Sequence, residues 1–298
     1  MEILITGGTG FIGRHLCRRL REAGHRITVL SRQGTYQVQS VCGNVEAVRD
    51  FDRVSGAPEV VINLAGEPIL GPRWSRARKE ALWASRVDLT RRLVAWMGVR
   101  SQRPRLLLSA SAVGYYGDQG DRILDERMAA EGDDFGSRLC RAWEEAAMVA
   151  ETLGVRVCRM RIGPVLGRDG GMLPRLLPAF RWGLGGPLGS GHQWLSWIHL
   201  EDLLAMILTL MEEESATGAY NLTAPQPVTS RQFAAALGRV LHRPARLAVP
   251  APLLKLLLGE QAQVLLGSQR VLPERFIGAD FPFRHPHLEG ALEDLLRS

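Results

Sequence analysis

Three glycines at a spacing of three, Gly7, Gly10 and Gly13, follow a short apolar run (2–5) and open an amphipathic segment that begins near Phe11. A strand running through such a turn into a helix is the first βα unit of a dinucleotide-binding fold. Gly7 permits the tight turn off the strand, Gly10 lets backbone N–H groups approach a pyrophosphate, and Gly13 lets the helix lie against the strand. The helix N-terminus, with Phe11 and Ile12 in its first turn, then faces the phosphates with unpaired N–H groups and a partial positive charge. A glycine turn that binds nothing is the bland alternative. The strand before the turn and the apolar spacing Phe11, Ile12, Leu16, Leu20 after it argue against that.

At 298 residues and 46% hydrophobic, the chain can bury a large core and suits one α/β domain with a smaller appended lobe. Short runs rich in Val, Ile and Leu at 26–31, 60–64, 105–110 and 155–161 alternate with helical runs at 73–99 and 135–153. This predicts a doubly wound parallel sheet with helices on both faces. Beyond Gly167 the texture changes. Glycines and prolines crowd 170–191, and the helical runs at 201–211, 230–241, 252–258 and 287–296 lack matching long strands. The expected division is a dinucleotide-binding domain over 1–167, rejoined by 194–224, with a smaller, mostly helical substrate-side lobe built from 168–193 and 225–298.

The net charge of +6 is spread along the chain, and Lys79 and Lys255 are the only lysines among its 37 cations. The densest patch, 73–92, is interleaved with Trp74, Leu82, Trp83, Val87 and Leu89 and reads as the solvated face of a long helix, so no nucleic-acid partner is expected. The charge favours an acidic small ligand instead. Cys17, Cys42, Cys140 and Cys158 are scattered without a CxxC pair, which speaks for a reduced, cytoplasmic compartment and against a zinc or other metal site. No stretch approaches the ~18 apolar residues of a membrane span, and no leader fits ahead of a glycine turn that starts at residue 7. Neither a span nor a membrane partner is expected.

The choice of dinucleotide rests on the end of the second strand. Sites that prefer NAD place a carboxylate there, about 20 residues beyond the glycines. Here the position reads Leu30-Ser31-Arg32. Arg32 can pair with a 2′-phosphate and Ser31 can donate a hydrogen bond to it, so NADP(H) is the expected cofactor.

The sequence from Thr6 to Gly13, then Asn63-Leu64-Ala65-Gly66, then 109–117 (Ser-Ala-Ser-Ala-Val-Gly-Tyr-Tyr-Gly), resembles the extended short-chain dehydrogenase/reductase superfamily. Arg161-Ile162-Gly163-Pro164 and Trp197-Ile198-His199 fit its later landmarks, and the glycine-rich run 183–193 resembles an atypical, epimerase-like branch. The resemblance implies that Gly7, Gly10, Phe11, Ile12 and Gly13 contact the pyrophosphate and Arg32 the 2′-phosphate. It implies that Leu64, Ala65 and Gly66 line the cofactor, and that Ser109, Arg161, Ile162 and Gly163 lie near the nicotinamide. Asn63 and His199 are weaker candidates. A small carbonyl, hydroxyl or nucleotide-sugar substrate is implied, and a homodimer is plausible by resemblance alone.

The chemistry departs from the family pattern. Active members use a Tyr-x-x-x-Lys pair on the helix that here covers 135–153; the lysine's charge lowers the tyrosine's pKa so that the phenol can trade a proton. With Glu144 placed on the family's usual glutamate, the tyrosine position falls on Gly136 and the lysine position on Cys140. Ser111 either orients a substrate oxygen or caps the strand end. Tyr116 is the best remaining proton donor, with a structural tyrosine as the alternative. Met172, Leu173, Pro174, His192, Gln193, Trp194 and Trp197 could wall a pocket over the nicotinamide, or Trp194 and Trp197 could pack between lobes. Two classes stay open: an NADP(H)-dependent oxidoreductase or epimerase with an atypical site, and a non-catalytic NADPH-binding sensor.

Overall fold

The computed structural model describes residues 1–297. The apolar run at the start forms β1 (Glu2–Thr6), and the glycine turn delivers the chain into α1 (Phe11–Glu22). Gly10 stands at the N-cap with no side-chain cap, and no acidic residue occupies the first turn. No side chain there competes with an outside anion for the helix's first N–H groups.

Six further strands join β1: β2 (Arg26–Leu30), β3 (Glu46–Val48), β4 (Val60–Asn63), β5 (Leu106–Ala112), β6 (Arg156–Ile162) and β7 (Gly218–Leu222). Their order across the sheet is β7-β6-β5-β4-β1-β2-β3. Every pairing is parallel. The winding direction reverses between β1 and β4, and such a switch point leaves a crevice beyond the strands' carboxyl ends.

The helices along the chain are α2 (Thr35–Cys42), α3 (Arg76–Trp83), α4 (Leu89–Gly98), α5 (Phe135–Met148), α6 (Leu173–Arg181), α7 (Leu200–Glu212), α8 (Ser230–Val240), α9 (Ala251–Leu258) and others shorter or later. Alternate strand residues point to opposite faces. Ile3, Ile5, Ile62 and Leu108 pack with Leu16 and Leu20 of α1 and Leu203 and Ile207 of α7. On the other face Leu4, Val61, Leu107 and Val157 pack with Leu93 and Met97 of α4 and Ala147 of α5. Burial on both sides accounts for the nearly unbroken apolar strands. A separate cluster, with Leu173, Phe180, Trp197, Phe233 and Leu292 in its core, gathers α6, α8 and the C-terminal helix Leu288–Leu296.

The structure departs from the sequence reading at three places. The helix expected over 73–99 is interrupted by a widened, π-type turn at Ala84–Asp88. Leu82 and Val87 are both fully buried yet five residues apart, one too many for neighbouring turns of an α-helix. The reading had no strand over 218–222, but β7 lies there, short and at the sheet edge. The proline-crowded segment 170–191 contains α6: Pro174 at its second position costs no hydrogen bond, and Pro178 inside it gives up one, offset by the burial of Leu173 and Phe180.

The glycine turn is rigid by packing. A Cβ on Gly13 would stand 2.3 Å from the Gly7 carbonyl oxygen. Gly13→Ala is therefore expected to lose about 1–3 kcal/mol, as overpacking does. Gly290→Ala, with nothing within 4 Å in the C-terminal helix, should gain about 0.5–1 kcal/mol. Thermal melts of the two variants check this; a Gly13→Ala melt as high as the wild type would show that the turn can relax.

Candidate active site

The crevice is framed first by the glycine turn. A Cβ on Gly7, at φ +73°, would sit 2.7 Å from the backbone of Leu64 and Ala65, so the β1 turn and the loop after β4 are in contact. A Cβ on Gly10 would meet only the Gly7 carbonyl oxygen, at 3.1 Å. That leaves the outer side of this loop open to a group as close as a phosphate. Phe11 turns away from the loop and presses its ring on Gly167, Gly170 and Gly171, while Arg14 and His15 reach Asp169 beside them. Ile12 packs against the core.

Beyond β2, Ser31 accepts a hydrogen bond from the Gln33 N–H and shapes the turn. Arg32 projects with its side chain 91% exposed and pairs with Glu67, Nη2 to Oε1 2.8 Å. The other carboxylate oxygen of Glu67 meets Arg78 Nη1 at 3.3 Å. The two arginines hold the Glu67 carboxyl below the usual carboxylate range, Arg32 most of all. Two guanidinium groups thus converge on one anionic group at the place where the sequence predicts a 2′-phosphate. The Arg78 Nε is buried and has no partner.

After β4, the Ala65 N–H reaches Thr6 Oγ1, whose own proton goes to Asn63 Oδ1 at 2.6 Å. Asn63 in turn donates to Thr90 and Ser109, and Trp143 Nε1 donates to Thr90. Asn63, Thr90 and Ser109 are at most 1% exposed, so they tie β4, β5, α4 and α5 together under the crevice floor and do not face it. Gly66 has a different neighbour. A Cβ there would lie 2.9 Å from the Arg86 guanidinium carbon. Arg86 comes from the widened turn, donates to the Glu67 carbonyl at 2.8 Å and stacks over Trp143. Burial lowers its pKa, and the Glu67 carboxylate opposes that drop.

The positions that carry catalysis elsewhere in the superfamily are occupied differently. Gly136 has no side chain, and its N–H caps on Asp134 at 2.8 Å. Burial pushes the Cys140 thiol up to about 12, with Glu144 adding to it and Arg86 opposing, so a thiolate nucleophile is ruled out at neutral pH. Ser111 donates to Glu144 Oε1 at 2.8 Å. Glu144 also takes Arg161 in a two-pronged pair, Nε to Oε1 2.8 Å and Nη2 to Oε2 3.0 Å. Arg161 Nη1 donates to the Tyr116 hydroxyl at 2.9 Å, and the single proton of that hydroxyl lies between Asn221 Oδ1 and the Asp125 carbonyl. Ser111, Tyr116, Glu144, Arg161 and Asn221 are all at most 3% exposed. Burial pushes the Tyr116 phenol up to about 12 even though Arg161 stands beside it.

Ile162 packs in the core beside the crevice, and Gly163 is held against the Ser196 carbonyl, which a Cβ would approach to 2.0 Å. Leu173 and Trp197 are fully buried in the C-terminal cluster, and Trp197 Nε1 bonds the Gln226 carbonyl. They are core, not pocket wall. Trp194 donates to Asp121 and lies beneath Arg270, and Gln193 bonds two backbone carbonyls. His192 is exposed, while Met172 packs at the edge of the cluster.

His199 serves as the cap of α7: its Nδ1 accepts from the Glu201 N–H at 3.1 Å. His199, His285 and Asp294 each offer a ligand atom within 4.8 Å of the others. They do not fit a metal, because a cap-accepting Nδ1 puts the proton of the neutral ring on Nε2, the atom that would have to coordinate. Arg86, Glu67 and Arg78 escaped the sequence reading. The five-residue step from Leu82 to Val87 was the available signal for Arg86.

A family model described as NAD dependent epimerase/dehydratase family matches residues 3–223. The chain belongs to that family. A second model, a domain of unknown function (DUF1731), matches residues 249–295. Among relatives, an epimerase family protein SDR39U1 homolog, chloroplastic, from Arabidopsis thaliana is 40% identical over 100% of this chain and 87% of its own. The epimerase family protein YfhF of Bacillus subtilis is 37% identical over 99% and 98%. The crystal structure of human epimerase family protein SDR39U1 with NADPH superposes at TM-score 0.91 with 32% identity, covering 100% of both chains.

The His199 ring gives a pH prediction. Burial, and then the neighbouring His285, depress its pKa from 6.5 to about 4. Above pH 6.5 the ring is neutral folded or unfolded. As pH falls from 6.5 toward 4 the unfolded chain takes a proton that the folded chain refuses, so stability drops across that window. His199→Asn keeps a cap acceptor and removes the titration; its melting temperature should fall less steeply over this range. A slope identical to wild type would refute the assignment.

Proposed function

We propose that this protein binds NADP(H) across the carboxyl ends of β1, β2 and β4 and works on a small carbonyl, hydroxyl or nucleotide-sugar substrate as an oxidoreductase- or epimerase-type protein with an altered site. The observation that carries the cofactor choice is the pair of arginines on one carboxylate, Arg32 and Arg78 on Glu67. An exposed ion pair of this kind is worth little, about 0–1 kcal/mol, so a 2′-phosphate with more charge and more acceptor oxygens can take over Arg32. Gly7 to Gly13 supply open backbone for the pyrophosphate. The NADPH held by the human relative supports the same reading. The four cysteines are free and buried, which suits a reducing compartment such as the cytoplasm.

When bound, NADP(H) supplies or accepts a hydride at its nicotinamide. The residues do the rest. Arg86, beside Gly66 and Cys140, supplies a fixed cation near the position where the family carries its lysine. It positions the nicotinamide half of the cofactor or a substrate oxygen by hydrogen bonding. Arginine keeps its proton at any ordinary pH, so Arg86 can hold charge but cannot replace the missing phenol as a proton donor. This favours a second reading, an NADPH-binding protein without turnover; the observation for it is that Tyr116 is sealed in the core.

Two binding measurements test the proposal. NADPH should bind at least about tenfold tighter than NADH, a difference near 1.4 kcal/mol, and Arg32→Ala should abolish the preference; equal affinities in the wild type would sink it. Arg86→Ala should weaken NADPH by about tenfold while leaving 2′,5′-ADP, which lacks the nicotinamide half, unchanged. Equal losses for both probes would make Arg86 a structural residue only.

A further inference from the structure

Two segments of the C-terminal half carry no carboxylate at all: 170–200, and 215–259. The fold brings them side by side. Arg243 Nε donates to the Arg181 carbonyl at 3.0 Å, the Leu247 N–H to Gly185 at 3.2 Å and the Val249 N–H to Pro187 at 3.0 Å. Leu188 and Val249 form a parallel bridge, and α9 begins two residues later.

This joined surface presents large apolar side chains to solvent. Trp182 is 82% exposed, Leu184 61%, Leu247 54%, Leu256 72% and Leu257 59%. Arg175, Arg181, Arg243, Arg246 and Lys255 are exposed on the same segments, and none of these five has an acidic partner among the described residues, whereas Arg239 of the same stretch pairs with Glu289. The nearest carboxylate along the chain, Glu260, is engaged by Lys79. Large apolar side chains this exposed, on joined segments whose unpaired cations have no acid of their own stretch beside them, are uncommon on a soluble surface.

We infer that this face docks on an anionic lipid surface. Tryptophan and leucine side chains flanked by arginine and lysine are the composition of segments that lie in a membrane interface, with the apolar groups in the acyl boundary and the cations among lipid phosphates. A second copy of the chain fits poorly, because an isologous contact would set these five cations against their own counterparts. The sequence reading excluded a membrane partner because no run is long enough to span. No helix of the described chain is long and apolar enough to cross a membrane, and lying on a surface needs no such helix.

The experiment is flotation of the full chain with phosphatidylcholine vesicles containing phosphatidylserine, beside vesicles of phosphatidylcholine alone. Partitioning to the anionic vesicles should be about tenfold stronger and should weaken with added salt. The double variants Leu256→Glu/Leu257→Glu and Arg246→Glu/Lys255→Glu should each reduce it by about tenfold. These side chains are exposed, so both variants should melt near the wild type. Absence of binding to the anionic vesicles at low salt would overturn the proposal. So would binding that survives the leucine changes, which would mark mere charge attraction. A wild-type dimer in light scattering that the leucine variant splits would assign the face to a second copy instead.

Discussion

The buried ion pair between Glu144 of α5 and Arg161 at the end of β6 organises the crevice floor. Both groups are almost completely removed from water, where an unpaired charge would be intolerable. Each is therefore surrounded by partners. Glu144 receives Ser111 and a second arginine, Arg159, at 3.4 Å, while Arg161 extends to Tyr116 and lies 3.5 Å from the Tyr115 ring centroid. Removing one partner of such a pair typically costs about 3–5 kcal/mol, because the survivor is left buried and uncompensated. Through these contacts the ends of β5, β6 and β7 and the helix α5 share one polar network.

That network explains why residues with the right chemistry for catalysis are spent on architecture. Ser111 and Tyr116 stand at family landmarks, yet the serine hydroxyl is committed to Glu144 and the phenol is held by Arg161 and Asn221. A proton donor must reach its substrate and titrate near the working pH; a fully buried phenol raised to about 12 does neither. Above this floor the accessible charged groups are Arg32, Glu67, Arg78 and, partly, Arg86. They are suited to recognising a charged dinucleotide and holding polar groups, and not to proton exchange.

Much of the fold was legible because its signals are local. The glycine spacing, the strand before it and the alternating apolar runs depend on neighbours in sequence, and β1, α1, β2, β4, β5 and β6 lie within a residue or two of where those signals put them. The edge strand β7 was missed because its role comes from pairing with β6, 60 residues away in the Cys158–Gly218 register. The fate of Tyr116 was hidden for the same reason: Asn221 lies 105 residues along the chain. Arg32 was legible from what its position lacks, a carboxylate. Its partner Glu67 was not, since nothing local distinguishes a glutamate in a loop from one poised between two arginines.

The central claim is that Tyr116 holds the core together and takes no part in cofactor chemistry. Tyr116→Phe, measured by denaturant unfolding alongside NADPH titration, tests it most directly. The account predicts a loss of about 1–3 kcal/mol, from leaving buried partners unsatisfied, with NADPH affinity within about twofold of wild type. Unchanged stability together with a large loss of NADPH affinity or of NADPH-dependent turnover would contradict it.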